Sequence, residues 1–85
     1  MKKEYFIKIE NRDNFEIATD LLKKLNFFTE TDLHLIDCET MKTSSKTLQN
    51  QVIYYLVYKN IKTVIFETPT GVAFKRSCEF NLHLN

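Results

Sequence analysis

Apolar and polar positions alternate over residues 4–10, with Tyr5, Ile7 and Ile9 on one side and Lys8 and Glu10 on the other. A period of two predicts a strand with one buried face. Phe6 falls on the polar side, so part of the second face is expected to be covered as well. Asn11-Arg12-Asp13-Asn14 punctuates the chain, and the period then becomes helical. Phe15, Ala18, Leu21, Leu22 and Leu25 recur at intervals of three and four, which predicts an amphipathic helix over about 14–25. Phe15, Ala18, Leu22 and Leu25 are its expected buried face. Asp13 and Glu16 have the spacing of a capping box, and Asp20 precedes Lys24 by four, the favourable order for a surface pair. Lys23 and Lys24 suit the negative end of the helix dipole, and Asn26 suits a left-handed residue that ends the helix.

The middle of the chain is less regular. Leu33, His34, Leu35, Ile36 and Cys38 suit a short strand, and residues 39–51 are polar, as a loop would be. The run Val52-Ile53-Tyr54-Tyr55-Leu56-Val57-Tyr58 is β-branched, aromatic or leucine throughout, and its propensity favours a strand. A helix is the competing reading. Leu48, Val52, Tyr55, Leu56 and Lys59 fit one helical face, Ser44 or Ser45 could cap it, and Asn60-Ile61 could close it. Strand is the reading taken.

The one proline and the one glycine share the tetrapeptide Thr68-Pro69-Thr70-Gly71. Proline sets the first corner of a tight turn and glycine supplies the positive φ that closes it. Val64, Ile65 and Phe66 before it, and Val72 and Phe74 after it, predict a hairpin with strands near 62–68 and 71–76. Beyond it, Val72, Phe74, Cys78, Phe80, Leu82 and Leu84 keep even positions apolar, with Arg76 marking a bend or bulge. The expected fold is a single α+β domain over 1–85. One amphipathic helix packs on an antiparallel sheet of four to five strands, in the order β-α-β-β-β-β. The alternative is a winged helix, with Ser44-Ser45-Lys46-Thr47-Leu48 opening a recognition helix and 62–76 as the wing.

Composition narrows the function more than any motif does. The formal charge is +1, from 12 basic and 11 acidic residues, too even to create a field that gathers nucleic acid or anionic membrane. No stretch approaches the ~18 apolar residues of a membrane span. The N-terminus lacks the apolar core of a secretion signal, because Lys8, Glu10, Arg12 and Asp13 interrupt it. A cytoplasmic location is the default, and Cys38 and Cys78 are then expected as free thiols.

Catalytic and metal chemistry find little support. His34 and Cys38 would share a strand face but lie about 13 Å apart by strand rise, and Cys78 and His83 differ in parity. No metal or other cofactor is therefore expected, with His34 partly buried, Cys78 buried and His83 exposed. Ser44, Ser45 and Ser77 lack the context of a nucleophile. Glu16/Asp20, Glu30/Asp32 and Asp37/Glu39 read as solvated charges. One glycine cannot build a phosphate cradle.

Binding is the remaining function class, without enzyme activity. Tyr54, Tyr55 and Tyr58 crowd five positions beside Lys59 and Lys62, and exposed tyrosine is enriched at protein interfaces. The candidate partner-binding set is Tyr54, Tyr58, Lys59, Lys62, Lys75 and Arg76, on the sheet surface or edge. Ten of the 12 basic residues are lysine, and Asn and Ile are plentiful, a profile of AT-rich coding. It suggests a phage or mobile-element type protein that binds and modulates or inhibits a host protein, for example a defence nuclease. The alternative is a small winged-helix nucleic-acid-binding regulator using Lys42, Lys46, Lys59, Lys62, Lys75 and Arg76. A homodimer could use the same surface.

Overall fold

The order of elements is β1 (Lys3–Ile9), a 3₁₀ turn (Arg12–Asn14), α1 (Phe15–Lys24), α2 (Phe27–Glu30), β2 (Leu33–Leu35), β3 (Thr40–Thr43), α3 (Lys46–Tyr58) and β4 (Thr63–Pro69). The computed structural model describes residues 2–69. The closing part of the expected turn at Thr70 and Gly71, the strand segments after it, and Lys75, Arg76, Cys78 and His83 lie outside the described residues. The four strands form one antiparallel sheet in the order β2-β3-β1-β4. With helices packed on that sheet, the fold is of the α+β class.

β1 holds the centre because both of its edges are paired. Ile7 lies opposite Met41 of β3 and Ile65 of β4, and Met41 in turn lies opposite Leu35. Ile7, Ile9, Leu33 and Met41 share a core with Ala18 and Leu22 of α1, Phe27 of α2, and Leu48, Val52 and Leu56 of α3. All three helices therefore cover one face of the sheet. Each of the larger of these side chains, once fully buried, contributes about 1.5–3 kcal/mol. Phe6 points to the opposite face, where it is buried and stacks on Phe66 with ring centroids 4.8 Å apart. The covered second side expected of β1 is thus present.

The strand expected over 52–58 is a correction: these residues form the last half of α3. Local ends outweigh intrinsic propensity here. The Ser45 hydroxyl accepts the backbone N–H of Leu48 at 3.2 Å, capping the first turn. At the other end Asn60 takes a left-handed φ of 61°. The N–H groups of Asn60 and Ile61 donate to the carbonyls of Val57 and Leu56 at 2.9 Å each, the double closure of a Schellman motif. Ile61 then buries itself in the core, as the hydrophobic contact of that motif requires. Helix α3 packs onto the sheet, where the Gln49 side-chain amide donates to the carbonyls of Phe6 (2.9 Å) and Phe66 (3.4 Å). A winged helix, the alternative architecture, would instead rest its recognition helix on other helices.

Two further corrections concern the middle of the chain. The polar stretch 39–51 contains β3 as well as the start of α3. The strand expected over 33–38 is only Leu33–Leu35, followed by a turn in which the Asp37 carboxylate accepts the N–H of Glu39 at 2.9 Å. That side chain makes the turn without glycine or proline. Asp37 and Glu39 are both buried, so neither is the solvated strand-edge charge expected of it.

Helix α1 agrees with its expected bounds but not in every detail. Ala18 and Leu22 are fully buried, whereas Leu25, expected inward, is 42% exposed. It falls at the C-cap, where the chain leaves helical φ/ψ. No capping box forms: Asn14 is the N-cap and makes no side-chain bond, and Asn11 accepts the N–H of Asp13 instead. No ion pair joins Asp20 to Lys24 among the described residues. Asn26 does take the left-handed conformation, with φ 64°.

Leu22→Ala should lower the unfolding free energy by roughly 2–5 kcal/mol in urea titrations, and Leu25→Ala by less than about 1 kcal/mol. Equal losses would show that the helix is rotated from the phase described. At Asn60 the left-handed backbone predicts that Asn60→Val destabilises by about 1–2 kcal/mol while Asn60→Gly stays within about 1 kcal/mol of the parent. Thermal or urea midpoints of the pair decide it.

Candidate functional site

Helix α3 has more apolar surface than the sheet can cover. Its buried positions are Leu48, Gln49, Val52 and Leu56, with Ile53 and Tyr55 partly buried beside them. The remaining positions, Lys46, Thr47, Asn50, Gln51, Tyr54, Val57 and Tyr58, are all exposed. Tyr54 is 70% exposed, Val57 60% and Tyr58 76%. Tyr54 and Tyr58, four apart, lie together on this helical face. They do not share a strand face with Leu56, as the strand reading required.

Beside them, Leu21 and Leu25 of α1 join Tyr54, Tyr55, Tyr58 and Lys59 around a mostly apolar hollow of about 340 Å³. Lys59 also borders a neighbouring hollow with Ile17, Asp20, Leu21 and Lys24. The rings are held in place by one another. Tyr54 meets Tyr55 edge-on with centroids 5.6 Å apart, and Tyr55 meets Phe27 edge-on at 5.7 Å. The Lys59 ammonium lies 5.9 Å from the centroid of the Tyr58 ring, covering one of its faces. Ile17 (57% exposed) extends the apolar patch along α1.

The expected site residues are therefore only partly brought together. Tyr54, Tyr58 and Lys59 adjoin. Lys62 lies past the end of α3, bordering a separate hollow with Glu10, Val57, Asn60, Ile61 and Thr63. The basic residues of the nucleic-acid alternative do not form one patch among the described residues. Lys42 pairs with Glu4 at 3.2 Å, and Lys46 pairs with Glu67 at 3.7 Å and lies 5.8 Å from the Tyr5 ring. Both are remote in sequence from Lys59 and are already engaged with acids.

A second cluster went unforeseen in the sequence. Asp32 accepts the backbone N–H of Ser44 at 2.9 Å and also its hydroxyl, while His34 Nε2 lies 2.7 Å from the other carboxylate oxygen. The pairing of β2 with β3 brings these residues together, and no spacing along the chain announces it. His34 is exposed rather than partly buried. The aspartate sits between serine and histidine, so the imidazole does not touch the hydroxyl, and the serine–histidine–aspartate order of a catalytic triad is not the one formed. The hydroxyl and N–H of Ser44, with smaller contributions from His34, hold the Asp32 carboxyl below the usual carboxylate range against the opposing effect of burial.

Among the described residues no group of three or more His, Cys, Asp or Glu side chains is placed to hold a metal ion. Cys38 is disulfide-bonded, a correction to the free thiol expected there. No helix among the described residues is long and apolar enough to cross a membrane. No protein-family model, curated protein or solved structure matches the chain.

Because the folded carboxyl of Asp32 titrates below its unfolded value, its contribution to stability is complete above about pH 4 and disappears as pH falls through the lower folded value. Asp32→Asn should therefore be less stable than the parent near neutrality, with the gap closing on acidification. Urea midpoints at a series of pH values test this, and a gap independent of pH would show that the carboxylate charge plays no part.

Proposed function

We propose that this protein is a non-enzymatic binding protein that contacts another protein through the outer face of α3 and the hollow beside α1. The observation that carries the reading is the outward exposure of Tyr54, Val57 and Tyr58 next to Ile17 and Leu25. Large apolar and aromatic side chains clustered in this way mark contact surfaces more often than solvated ones. Tyrosine adds contact area at low entropic cost and keeps a hydroxyl for the rim. The partner we propose is a host protein that is modulated or blocked, with a phage or mobile element as the source of the chain. That part of the proposal rests on small size and AT-rich coding composition.

The same face suits protein better than nucleic acid. A base would stack on an open ring face, yet Lys59 covers one face of Tyr58 and Tyr54 packs edge-on against Tyr55. Leu21 and Leu25 on the floor of the hollow favour an apolar side chain over a phosphate.

Affinity capture from the source cell, with and without nuclease, followed by titration of the captured partner tests the reading. Tyr54→Ala and Tyr58→Ala are each expected to weaken binding by about tenfold or more, as interface hot spots do. Lys59→Ala and Lys62→Ala should change it less. Affinity should fall by less than about tenfold between about 50 and 200 mM salt, against losses of about 10³–10⁵ for phosphate contacts. Nuclease-sensitive capture, or binding lost with the lysines and retained without the tyrosines, would replace the protein partner with a nucleic acid.

A further inference from the structure

Cys38 is disulfide-bonded, and no cysteine among the described residues is left as a thiol. The sequence has one other cysteine, Cys78, nine residues beyond Pro69 and outside the described residues. Cys38 itself is firmly placed. It sits in the turn between β2 and β3, flanked by Asp37 and Glu39, both buried. The Asp37 carboxylate accepts the Glu39 N–H at 2.9 Å, and the Glu39 carbonyl accepts the Ile9 N–H at 2.7 Å. The Arg12 guanidinium reaches the Glu39 carboxylate at 3.5 Å. The turn is thus tied to the central strand, at the end of the sheet where Ile9 lies opposite Thr63.

We infer that the bridge joins Cys38 to Cys78 within one chain, so that the redox state of this pair sets the stability of the fold. The length of the chain permits it. Lys3 lies opposite Pro69 and Ile9 opposite Thr63, so β4 ends about 20 Å from the end of the sheet that carries Cys38. β4 and β3 lie on either side of β1, about 10 Å apart across the sheet. The diagonal is about 22 Å, and nine residues reach at most about 30 Å. The bridge closes a loop of about 40 residues that contains β3, α3 and β4. Closing a loop of that length removes much freedom from the unfolded chain. Forming the bond takes two electrons and two protons from the two thiols. A small-molecule disulfide such as oxidised glutathione accepts them by exchange and leaves as two thiols. The carboxylates flanking Cys38 disfavour a thiolate there, which is the leaving group in reduction and the attacking group in reshuffling. The bridge is therefore a structural staple that exchanges slowly. It uses none of the α3 side chains proposed for partner binding, so the two readings fail separately.

The full chain, refolded in mixed reduced and oxidised glutathione, should take up no iodoacetamide and migrate as a single chain without reductant. After dithiothreitol in urea it should take up two equivalents. Trypsin should release residues 25–42 and 77–85 as one linked pair that reduction separates. Reducing the folded parent should raise its unfolding equilibrium constant by about a hundredfold or more in urea titrations. Cys38→Ser, Cys78→Ser and the double variant should all match the reduced parent, because losing either sulfur removes the same bond. Dithiothreitol should open the bridge at least about tenfold more slowly in the folded chain than in the urea-unfolded one. Two alkylated thiols in the refolded protein, or a dimer linked through Cys38, would overturn the inference. So would equal rates of opening, a stability indifferent to reduction, or losses in the single variants that add in the double. The peptide map needs only the parent chain, so it decides the pairing even where a variant fails to fold.

Discussion

The rotation of α3 about its own axis is set by one polar side chain. Val52, Ile53, Tyr54, Tyr55, Leu56, Val57 and Tyr58 make the second half of the helix apolar on nearly every side, so hydrophobic burial alone gives it no clear phase. Gln49 removes the ambiguity. It is 2% exposed, and its amide nitrogen donates to the carbonyls of Phe6 and Phe66 on two neighbouring strands. Leaving that amide buried and unpaired would cost about 1–3 kcal/mol. With Gln49 held down, Val52 and Leu56 must follow it into the core, and Tyr54, Val57 and Tyr58 must face outward.

The elements legible in the sequence were those whose signal is a period. β1 alternates and α1 repeats at three and four, while β4 is marked by its β-rich run before Pro69, and a left-handed Asn26 ends α1 as its position suggests. Over 46–58 the sequence offers both a helix and a strand, and β-branched and aromatic propensity favours the strand. The cap at Ser45 and the closure at Asn60-Ile61 are visible at the ends of the segment, and they decide the outcome. Two defined ends fix a segment more firmly than a weak preference at each interior residue. β3 was hidden for a different reason. Thr40 and Thr43 are buried, and buried threonine looks like loop composition in a linear reading.

The candidate site was legible in its residues but not in its geometry. Tyr54 and Tyr58 share a face in either reading, since a spacing of four brings residues together on a helix and on a strand alike. What the assignment changes is their company. On a strand they would stand with Leu56. On the helix they stand with Thr47, Asn50 and Gln51, while Leu56 goes inward. Leu25 and Ile17 join them only because α1 and α3 cover the same face of the sheet. The contact of Asp32 with Ser44 spans 12 positions, and it depends on a hairpin whose turn is made by an aspartate side chain.

Gln49 also limits how the exposed face can be hidden. In a small domain an uncovered apolar helix face could often be buried by a modest rotation or slide of the helix. Here a rotation that turned Tyr54 inward would carry the Gln49 amide off both carbonyls and draw Leu56 towards water. The closure at Asn60 and Ile61 resists sliding as well, since Ile61 is anchored in the core and bonded back to Leu56. The chain therefore has no low-cost internal rearrangement of α3 that shelters Tyr54, Val57 and Tyr58. A contact made on this face would not first have to order the helix that presents it, which lowers one of the costs of association.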